Sequence, residues 1–446
     1  MSRRDIWETL FQRFDPEVPA QQPAWRADRP LSPADAIGKA LDRPFGIPRV
    51  LLTGTVGTGK TTELLRIAQA RAHKEFVVYL DLDRHFQEVV GDPSALQQVS
   101  SWEVCFLAAL ALLRSAEEKL AFSFPKELVQ DLEQAWSALA KASGEIEKTP
   151  EVDVGKLAKS MLLLASSAVG AAALGPAGVA PVSEAMKWSV SLGLQKRVIP
   201  DQDAQMQTLL RCVNVLIGLV QQRSSKVLLI LDGLDRIESF ERAKALLLDS
   251  RMLGQLDCRM VICGPFVLRR DGAIANVRGF SDVPPLVNVP VLSQTNPLEP
   301  GKGISFFADL YARRVPETNA TDLVPKHLLE RLAYYSGGRA REFVATIRRL
   351  AEFAWDADVD AATDDLVAKV LDERRLRREI GLHRGHIKLL EAVIKDPEHR
   401  LPEDELAYKL LTNGALLPYP DGSEWYYPHP LLTMNLVRVK PTGSSK

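Results

Sequence analysis

Short runs of apolar residues alternate with amphipathic stretches over much of this chain. Runs of this length without internal polar alternation are typical of strands buried on both faces of a sheet. Because helical periodicity separates them, the pattern predicts an α/β fold with a three-layer parallel sheet. The predicted strands are Arg49–Thr53, Phe76–Leu82, Lys226–Leu231, Arg259–Cys263 and Leu286–Val291.

A long segment, residues 83–225, separates the second predicted strand from the third. It is far longer than a crossover between parallel strands requires. Its periodicity is mostly helical, and the predicted helices are Ser100–Leu120, Lys126–Ala142 and Gln202–Gln222. The sheet is therefore expected to carry a large helical insertion.

The last third of the chain is helical in pattern and ends in a hairpin signal. Three amphipathic stretches between residues 304 and 357 predict a small helical lid. Two short apolar runs flank Asp421-Gly422, and Asp-Gly between such runs favours a tight hairpin turn. Helices followed by a hairpin suggest a winged-helix-like domain. The predicted organisation is a lead-in (1–45), an α/β core (46–300), a lid (301–378) and a winged-helix-like domain (379–446).

The composition is that of an ordinary folded protein. Of its 446 residues 46% are hydrophobic and 25% charged, which excludes a disordered chain or a coiled-coil rod. The formal net charge of −1 gives no argument for a nucleic-acid partner. The N-terminus lacks an apolar signal segment, and no C-x-x-C pair occurs, so reduced thiols and a cytoplasmic location are expected. The cysteines are Cys105, Cys212, Cys258 and Cys263.

The strongest motif directly follows the first predicted strand. Residues 54–61 read Gly-Thr-Val-Gly-Thr-Gly-Lys-Thr, which fits G-x-x-x-x-G-K-[ST] between a strand and a helix. Glycines let the backbone curl its N–H groups onto phosphate oxygens, and the helix N-terminus favours an anion. We expect Lys60 to contact the β- and γ-phosphates and Thr61 to bind Mg²⁺. The predicted nucleotide-binding residues are Gly54, Thr55, Val56, Gly57, Thr58, Gly59, Lys60, Thr61 and Thr62.

An acidic motif ends the third predicted strand, where Leu231 is followed by Asp232-Gly-Leu-Asp235. A carboxylate at the end of such a strand is the expected second Mg²⁺ ligand of a P-loop site, so this role is predicted for Asp232. Asp235 either orients the attacking water or caps a helix N-terminus, and the sequence leaves both interpretations open.

Together these motifs resemble those of a known group of ATPases. Strand-Asp-Gly-Leu-Asp resembles the extended Walker B segment of STAND signal-transduction ATPases, between its NACHT and KAP forms. STAND proteins are similar to AAA+ ATPases of the ORC type, so the resemblance implies a nucleotide domain, a lid and a winged helix. Residues 336–341, Ser-Gly-Gly-Arg-Ala-Arg, resemble the sensor-2 segment of the lid. This implies that Arg341 senses the γ-phosphate; the alternative is a surface arginine.

The resemblance also implies ATP and Mg²⁺ as ligands and ATP hydrolysis as the activity. Cys263 stands where AAA+ relatives usually place a polar or arginine sensor 1, which implies slow hydrolysis and a nucleotide-state switch. Arg269 and Arg270 are either arginine-finger candidates or solvated charges. The implied role is regulatory, in prokaryotic defence, through separately encoded protein partners; a nucleotide-dependent homo-oligomer is also considered.

The uncharged stretch at 161–182 raises a membrane-associated, KAP-like alternative. It is long enough for one crossing, but Lys60 and Asp232 must serve one site, which requires an even number of crossings. Gly175-Pro176 also interrupts a helix. We therefore favour a helical hairpin or an assembly surface over membrane contact.

A basic stretch raises a second alternative, a DNA-binding ATPase of the initiator or transposition type. Acidic residues are interleaved with the basic ones, which favours a solvated helix with internal ion pairs. The basic residues are Arg374, Arg375, Arg377, Arg378, Arg384 and Lys388, and the acidic ones are Asp372, Glu373 and Glu379.

Overall fold

The computed structural model describes residues 3–18, 20, 23–142, 154–161, 200–315, 322–420 and 424–435. They fall into two units. The sheet unit comprises Pro33–Gly54 and Glu63–Pro285, and the lid unit comprises Met1–Ser32, Thr55–Thr62 and Leu286–Lys446. The four segments expected from the sequence stay predictions.

The first part of the described chain supplies the strands of one sheet and most of its covering helices. The helices are α1 (Arg3–Arg13), α2 (Ala34–Asp42), α3 (Lys60–Arg71), α4 (Leu82–His85), α5 (Ser101–Leu120), α6 (Lys126–Ala142), α7 (Val154–Ser160), α8 (Pro200–Arg223) and α9 (Phe240–Lys244). The strands are β1 (Arg49–Gly54), β2 (Phe76–Asp81), β3 (Val227–Asp232), β4 (Arg259–Pro265) and β5 (Pro285–Leu286).

The five strands form one parallel sheet in the order β2-β3-β4-β1-β5. Its register sets Asp81, the last residue of β2, opposite Asp232, the last residue of β3. Strands β1 and β3 lie on either side of β4 and run in the same direction. The parallel α/β fold predicted from the apolar runs is therefore confirmed, and the carboxyl ends of its strands share one edge of the sheet.

A helical insertion after β2 packs into the core of the sheet unit. Helices α5, α6 and α8 match the predicted helices to within a few residues. Their buried faces include Leu110, Trp136 and Leu216, which join one apolar cluster with residues of β2 and β3. This packing explains why α5 is apolar around most of its surface.

The fifth strand is much shorter than predicted, because only Pro285 and Leu286 pair as a strand. Pro284, Pro285 and Pro290 have no N–H group to donate to a ladder. Beyond Leu286 the main chain bonds instead within the lid unit, where Val289 N–H donates to the Gly338 carbonyl at 3.0 Å. The prediction of a strand to Val291 was wrong.

The lid unit contains the remaining described helices and a hairpin. They are α10 (Ile304–Arg314), α11 (Lys326–Tyr335), α12 (Ala340–Asp356), α13 (Asp364–Glu379), α14 (Arg384–Lys395), α15 (Glu405–Thr412), β6 (Leu416–Tyr419), β7 (Trp425–Pro428) and α16 (Pro430–Thr433). The strands β6 and β7 pair antiparallel. The predicted Asp421-Gly422 turn lies outside the described residues, and the winged-helix assignment stays a prediction.

Helix α1 belongs to the core of the lid unit. Its side chains Ile6, Trp7 and Leu10 are buried in the same apolar cluster as residues of α10, α11 and α12. The Trp7 indole N–H donates to the Val359 carbonyl at 2.9 Å, which fixes the helix at the end of α12. The N-terminal segment therefore contributes packing to the lid unit.

All four cysteines are free thiols, as predicted. Within the described ranges, no helix combines the length and the apolar character that a membrane crossing requires. Apart from Met161, the apolar stretch 161–182 lies outside these ranges.

Candidate functional site

The phosphate loop occupies residues 55–59, between the end of β1 and the start of α3. Gly57 and Gly59 have φ angles of +87° and +101°, which residues with a side chain rarely adopt. The N–H groups of Val56, Gly57 and Gly59 have no hydrogen-bond acceptor among the described residues. Thr55 Oγ1 is likewise buried without a partner within that part of the chain. Unbonded donors in a curled backbone suit an anionic ligand.

Lys60 begins α3 and is buried, with 4% of its surface exposed. Its ammonium group donates to the Thr55 carbonyl at 2.6 Å, and the Thr58 hydroxyl donates to the same oxygen at 2.9 Å. The loop thus keeps its lysine folded against its own backbone. Thr61 and Thr62 follow in the first turn of α3 and are partly exposed. These residues fit a bound triphosphate, with Thr61 as a hydroxyl ligand for Mg²⁺.

Three groups of the lid unit bind successive carbonyls of the phosphate loop. The Arg339 guanidinium donates to the Val56 oxygen from Nε at 3.1 Å and also from Nη2. The Arg341 backbone N–H donates to the Gly57 oxygen at 3.2 Å. Arg29 donates to the Thr58 oxygen at 2.5 Å and to the Val287 oxygen at 2.6 Å. The loop is therefore held from its carbonyl side.

The backbone of Arg341 lies beside the loop, because its N–H donates to the Gly57 carbonyl. Its side chain is partly exposed and makes no hydrogen bond or ion pair with any described residue. Arg339 is different, because its guanidinium is buried and committed to Val56 and Glu342. The sensor role of Arg341 stays a prediction.

Asp232 is the last residue of β3, in the sheet unit. It is buried, its Oδ2 accepts a hydrogen bond from the Tyr79 hydroxyl at 2.9 Å, and its Oδ1 accepts from Gly233 N–H at 2.8 Å. Gly233 has φ +90°, and a Cβ there would lie 2.4 Å from the Asp83 nitrogen. A glycine is therefore required directly after the aspartate. Hard carboxylate oxygens at this position fit Mg²⁺.

Ligand atoms of Asp232, Asp235 and Cys263 lie within 4.8 Å of one another. Asp235 falls inside a short 3₁₀ turn, Leu234–Arg236, whose N-cap is Gly233, and Ser239 caps α9. The helix-cap interpretation of Asp235 is therefore wrong. The two carboxylates suit Mg²⁺, whereas the soft Cys263 sulfur does not. Arg270 stacks on Phe240 and lies 3.8 Å from Glu241 within the sheet unit, so it is less solvated than expected, and its arginine-finger role stays a prediction.

Burial and the charge of Asp232 raise the pKa of both neighbouring groups on β2. Burial raises the pKa of Tyr79 well above its usual value, so the phenol stays a hydrogen-bond donor. Burial, then repulsion from Asp232, raises the pKa of Asp81 to about 7. A cation bound at Asp232 favours the ionised form of Asp81.

Changing Tyr79 to phenylalanine is expected to lower Mg²⁺-dependent ATP turnover about tenfold, since one buried hydrogen bond to a charged group is worth roughly 1.5 kcal/mol. The ring volume is kept, so the fold should remain intact. Steady-state phosphate release against Mg²⁺ concentration measures the effect. Tyr335→Phe is the matched control, because the Tyr335 hydroxyl has no hydrogen bond to the described residues. Equal turnover in both variants would contradict the role of Tyr79.

The motifs did not reveal the roles of Arg29, Tyr79, Asp81 and Arg339. Two signals were present in the sequence. Asp81 ends a buried apolar run as Asp232 does, and Arg339 places a cation at the start of a helix, where the dipole disfavours it unless an acid lies near. Tyr79 and Arg29 carry no such local signal.

No protein family and no curated protein matches this chain. Similar solved structures include ORC1 from Aeropyrum pernix in complex with DNA, with 14% identity over 96% of this chain and 93% of that chain and a TM-score of 0.36. Cdc6p from Pyrobaculum aerophilum has 13% identity, 95% coverage of both chains and a TM-score of 0.36. A RuvB variant from Thermotoga maritima has 12% identity, coverage of 92% and 94%, and a TM-score of 0.34.

These neighbours are AAA+ P-loop ATPases. Similarity at this level assigns no ligand, activity or partner to this chain. The STAND, NACHT and KAP assignments stay predictions.

Proposed function

We propose that this protein binds ATP with Mg²⁺ and hydrolyses it slowly, as a cytoplasmic regulatory switch that acts on separately encoded protein partners. The observation that carries the proposal is the phosphate loop, in which three N–H groups have no acceptor in the part of the chain that the structure describes and precede a buried lysine at a helix start. The defence role and the nucleotide-dependent homo-oligomer remain inferences from the resemblance alone.

The residues have separate tasks in this proposal. The loop N–H groups and Lys60 bind phosphate oxygens. On the motif pattern of the sequence, Thr61 and Asp232 are each proposed as a Mg²⁺ ligand, and the metal would neutralise charge on the phosphates. Asp235 orients the attacking water, and Arg341 contacts the γ-phosphate. Cys263 offers no strong hydrogen bond to that water, which supports slow turnover.

Calorimetric titration with ATP, ADP and phosphate, each with and without Mg²⁺, tests the proposal, together with phosphate release over hours. We expect binding of ATP and ADP and a low but Mg²⁺-dependent rate. Absence of nucleotide binding by the folded protein would reject the proposal.

Changing Arg341 to alanine is expected to leave ATP binding within about threefold and to lower turnover at least tenfold. An arginine that contacts the γ-phosphate stabilises the transition state, in which charge develops on the phosphate oxygens, more than it stabilises the ground state. Phosphate release and ATP titration separate the two effects. Arg331→Ala, which removes a lid arginine paired with Asp364, is the control. If the Arg341 variant turns over ATP at the wild-type rate, Arg341 is a surface arginine and has no sensor role.

DNA binding is the second candidate, and the described ion pairs argue against it. Within α13, Arg375 pairs with Asp372 and Glu379 at 2.6 and 2.7 Å, and Arg377 pairs with Glu373 at 2.6 Å. Arginines already paired with carboxylates contribute less to counterion release on a phosphate backbone. The prediction of a helix with internal pairs is supported.

A further inference from the structure

The buried arginine before α12 connects the phosphate loop to an acidic residue one turn into that helix. Arg339 keeps 8% of its surface exposed, and its Nη1 donates to Glu342 Oε1 at 2.6 Å while Nε and Nη2 hold the Val56 carbonyl. The planar fork of a guanidinium can serve two acceptors in a fixed geometry, which a lysine cannot. The position of the fork therefore depends on both acceptors at once.

Glu342 is the centre of a buried network of three donors. Besides Arg339 it accepts a hydrogen bond from Arg378 Nη2 at Oε1 and one from His429 Nε2 at Oε2, at 3.1 Å. His429 Nδ1 accepts from the Leu431 N–H at 3.3 Å, so the neutral ring carries its proton on Nε2. Burial lowers the pKa of His429 to about 4, which keeps the ring neutral.

The charges of this network favour an ionised Glu342. Burial alone raises the pKa of a carboxyl group, but the charges of Arg339 and Arg378 and the hydrogen bond from the neutral His429 outweigh it and hold the pKa of Glu342 well below its usual range. Removing one of these donors leaves part of the buried negative charge uncompensated, which costs free energy. Arg339 and Arg378 are therefore bound to the same charge.

The network reaches the C-terminal hairpin by two routes. Arg378 Nη1 donates to the carbonyls of Asn413 and Gly414, at 3.2 and 3.1 Å, directly before β6. His429 directly follows β7 and begins the turn into α16. A Cβ on Gly414 would lie 2.3 Å from Arg339 Nη1, so the start of the hairpin closes over the guanidinium. Movement of Arg339 requires movement of these contacts.

Peptide geometry links the same arginine to the anion-facing side of the loop. In a trans peptide the carbonyl of one residue and the N–H of the next point in opposite directions. Holding the Val56 oxygen therefore fixes the direction of the Gly57 N–H, one of the loop donors without an acceptor in the described chain. A phosphate that reorients this N–H must also turn the carbonyl that Arg339 holds.

From these contacts we infer that Arg339 is a positioning residue for the phosphate loop, and that through Glu342 it couples occupancy of the loop to the hairpin β6–β7 and α16. The inference rests on the proposed ATP binding. Coupling of this kind is reciprocal, so a change that loosens the hairpin side of the network also weakens nucleotide binding. The role is distinct from that of Arg341, whose side chain donates no hydrogen bond to the Val56 carbonyl or to Glu342.

Hydrogen exchange with and without a saturating, slowly hydrolysed ATP analogue tests the coupling, read on peptides covering residues 413–420 and 424–435. The wild-type protein should show nucleotide-dependent protection there. Arg339→Ala, Arg339→Lys and Glu342→Gln should bind the analogue about tenfold more weakly and lose that response even at saturation. Arg331→Ala, with its exposed pair, should behave as wild type.

Thermal unfolding without nucleotide distinguishes a loss of coupling from a loss of packing. If Arg339→Ala does not fold, Arg339→Lys replaces it, because lysine keeps the charge and a similar length. A variant that unfolds at lower temperature but keeps wild-type affinity and a wild-type hairpin response would overturn the inference and leave ATP binding intact. A wild-type protein that binds the analogue without any hairpin response would overturn it as well. Failure of the wild-type protein to bind at all would reject the proposed function and the inference with it.

Discussion

Replacing Lys60 with alanine is expected to weaken ATP binding by at least about 100-fold. The substitution removes the charge-assisted hydrogen bonds that an ammonium makes to phosphate oxygens, which are worth roughly 1.5–3 kcal/mol each. Lys60 is buried at the start of α3 with its ammonium against the Thr55 carbonyl, so the methyl group of alanine removes the cation at the start of this helix. Isothermal titration with ATP measures the loss directly.

Lys74→Ala is the matched control, because that lysine is half exposed and its ammonium lies 3.8 Å from Asp42. It should bind ATP as the wild-type protein does. Thermal unfolding without nucleotide shows whether the Lys60 variant keeps its fold, since Thr58 still bonds to the Thr55 carbonyl. If the folded Lys60 variant binds ATP with wild-type affinity, the assignment of this loop to ATP binding is wrong.

Replacing Asp232 with asparagine is expected to preserve ATP binding within about tenfold while lowering Mg²⁺-dependent turnover by about 100-fold or more. The amide keeps the shape of the side chain but loses the charge that holds a divalent cation. It also turns an NH₂ group toward either the Tyr79 hydroxyl or the Gly233 N–H, both of which donate to the carboxylate. Phosphate release measured against Mg²⁺ and Mn²⁺ concentration detects the change.

Glu238→Gln provides the control, since it neutralises an exposed acid that follows the same strand. Turnover of that variant should match the wild-type protein. If the Asp232 variant hydrolyses ATP normally in Mg²⁺, another residue must hold the metal and the acidic motif has a structural role.

The features that sequence reasoning predicted well are those with local causes. The loop at 54–61 follows from glycine positions and one lysine, and the strands β1 to β4 follow from uninterrupted apolar runs. Amphipathic stripes likewise predicted the helices of the insertion, because each helix must bury one face wherever it packs.

The features that sequence reasoning missed depend on distant partners. Tyr79 gains its role only because the register of β2 and β3 brings it to Asp232, which is 153 positions away along the chain. Arg339 gains its role from Val56, 283 positions away. The predicted extent of β5 was wrong because residues beyond Leu286 form their hydrogen bonds within the lid unit, and the apolar pattern does not reveal those partners.

The packing of α1 matters for any truncation of this chain to the segment that carries the nucleotide-binding motifs. Deleting the first dozen or so residues would strip Ile6, Trp7 and Leu10 from the apolar cluster they share with α12. The side chains of α12 that they cover would then expose a broad apolar surface to water, which favours aggregation. Loss of ATPase activity in a shortened protein would then result from disrupted packing. It would not test the roles proposed for the nucleotide-binding residues.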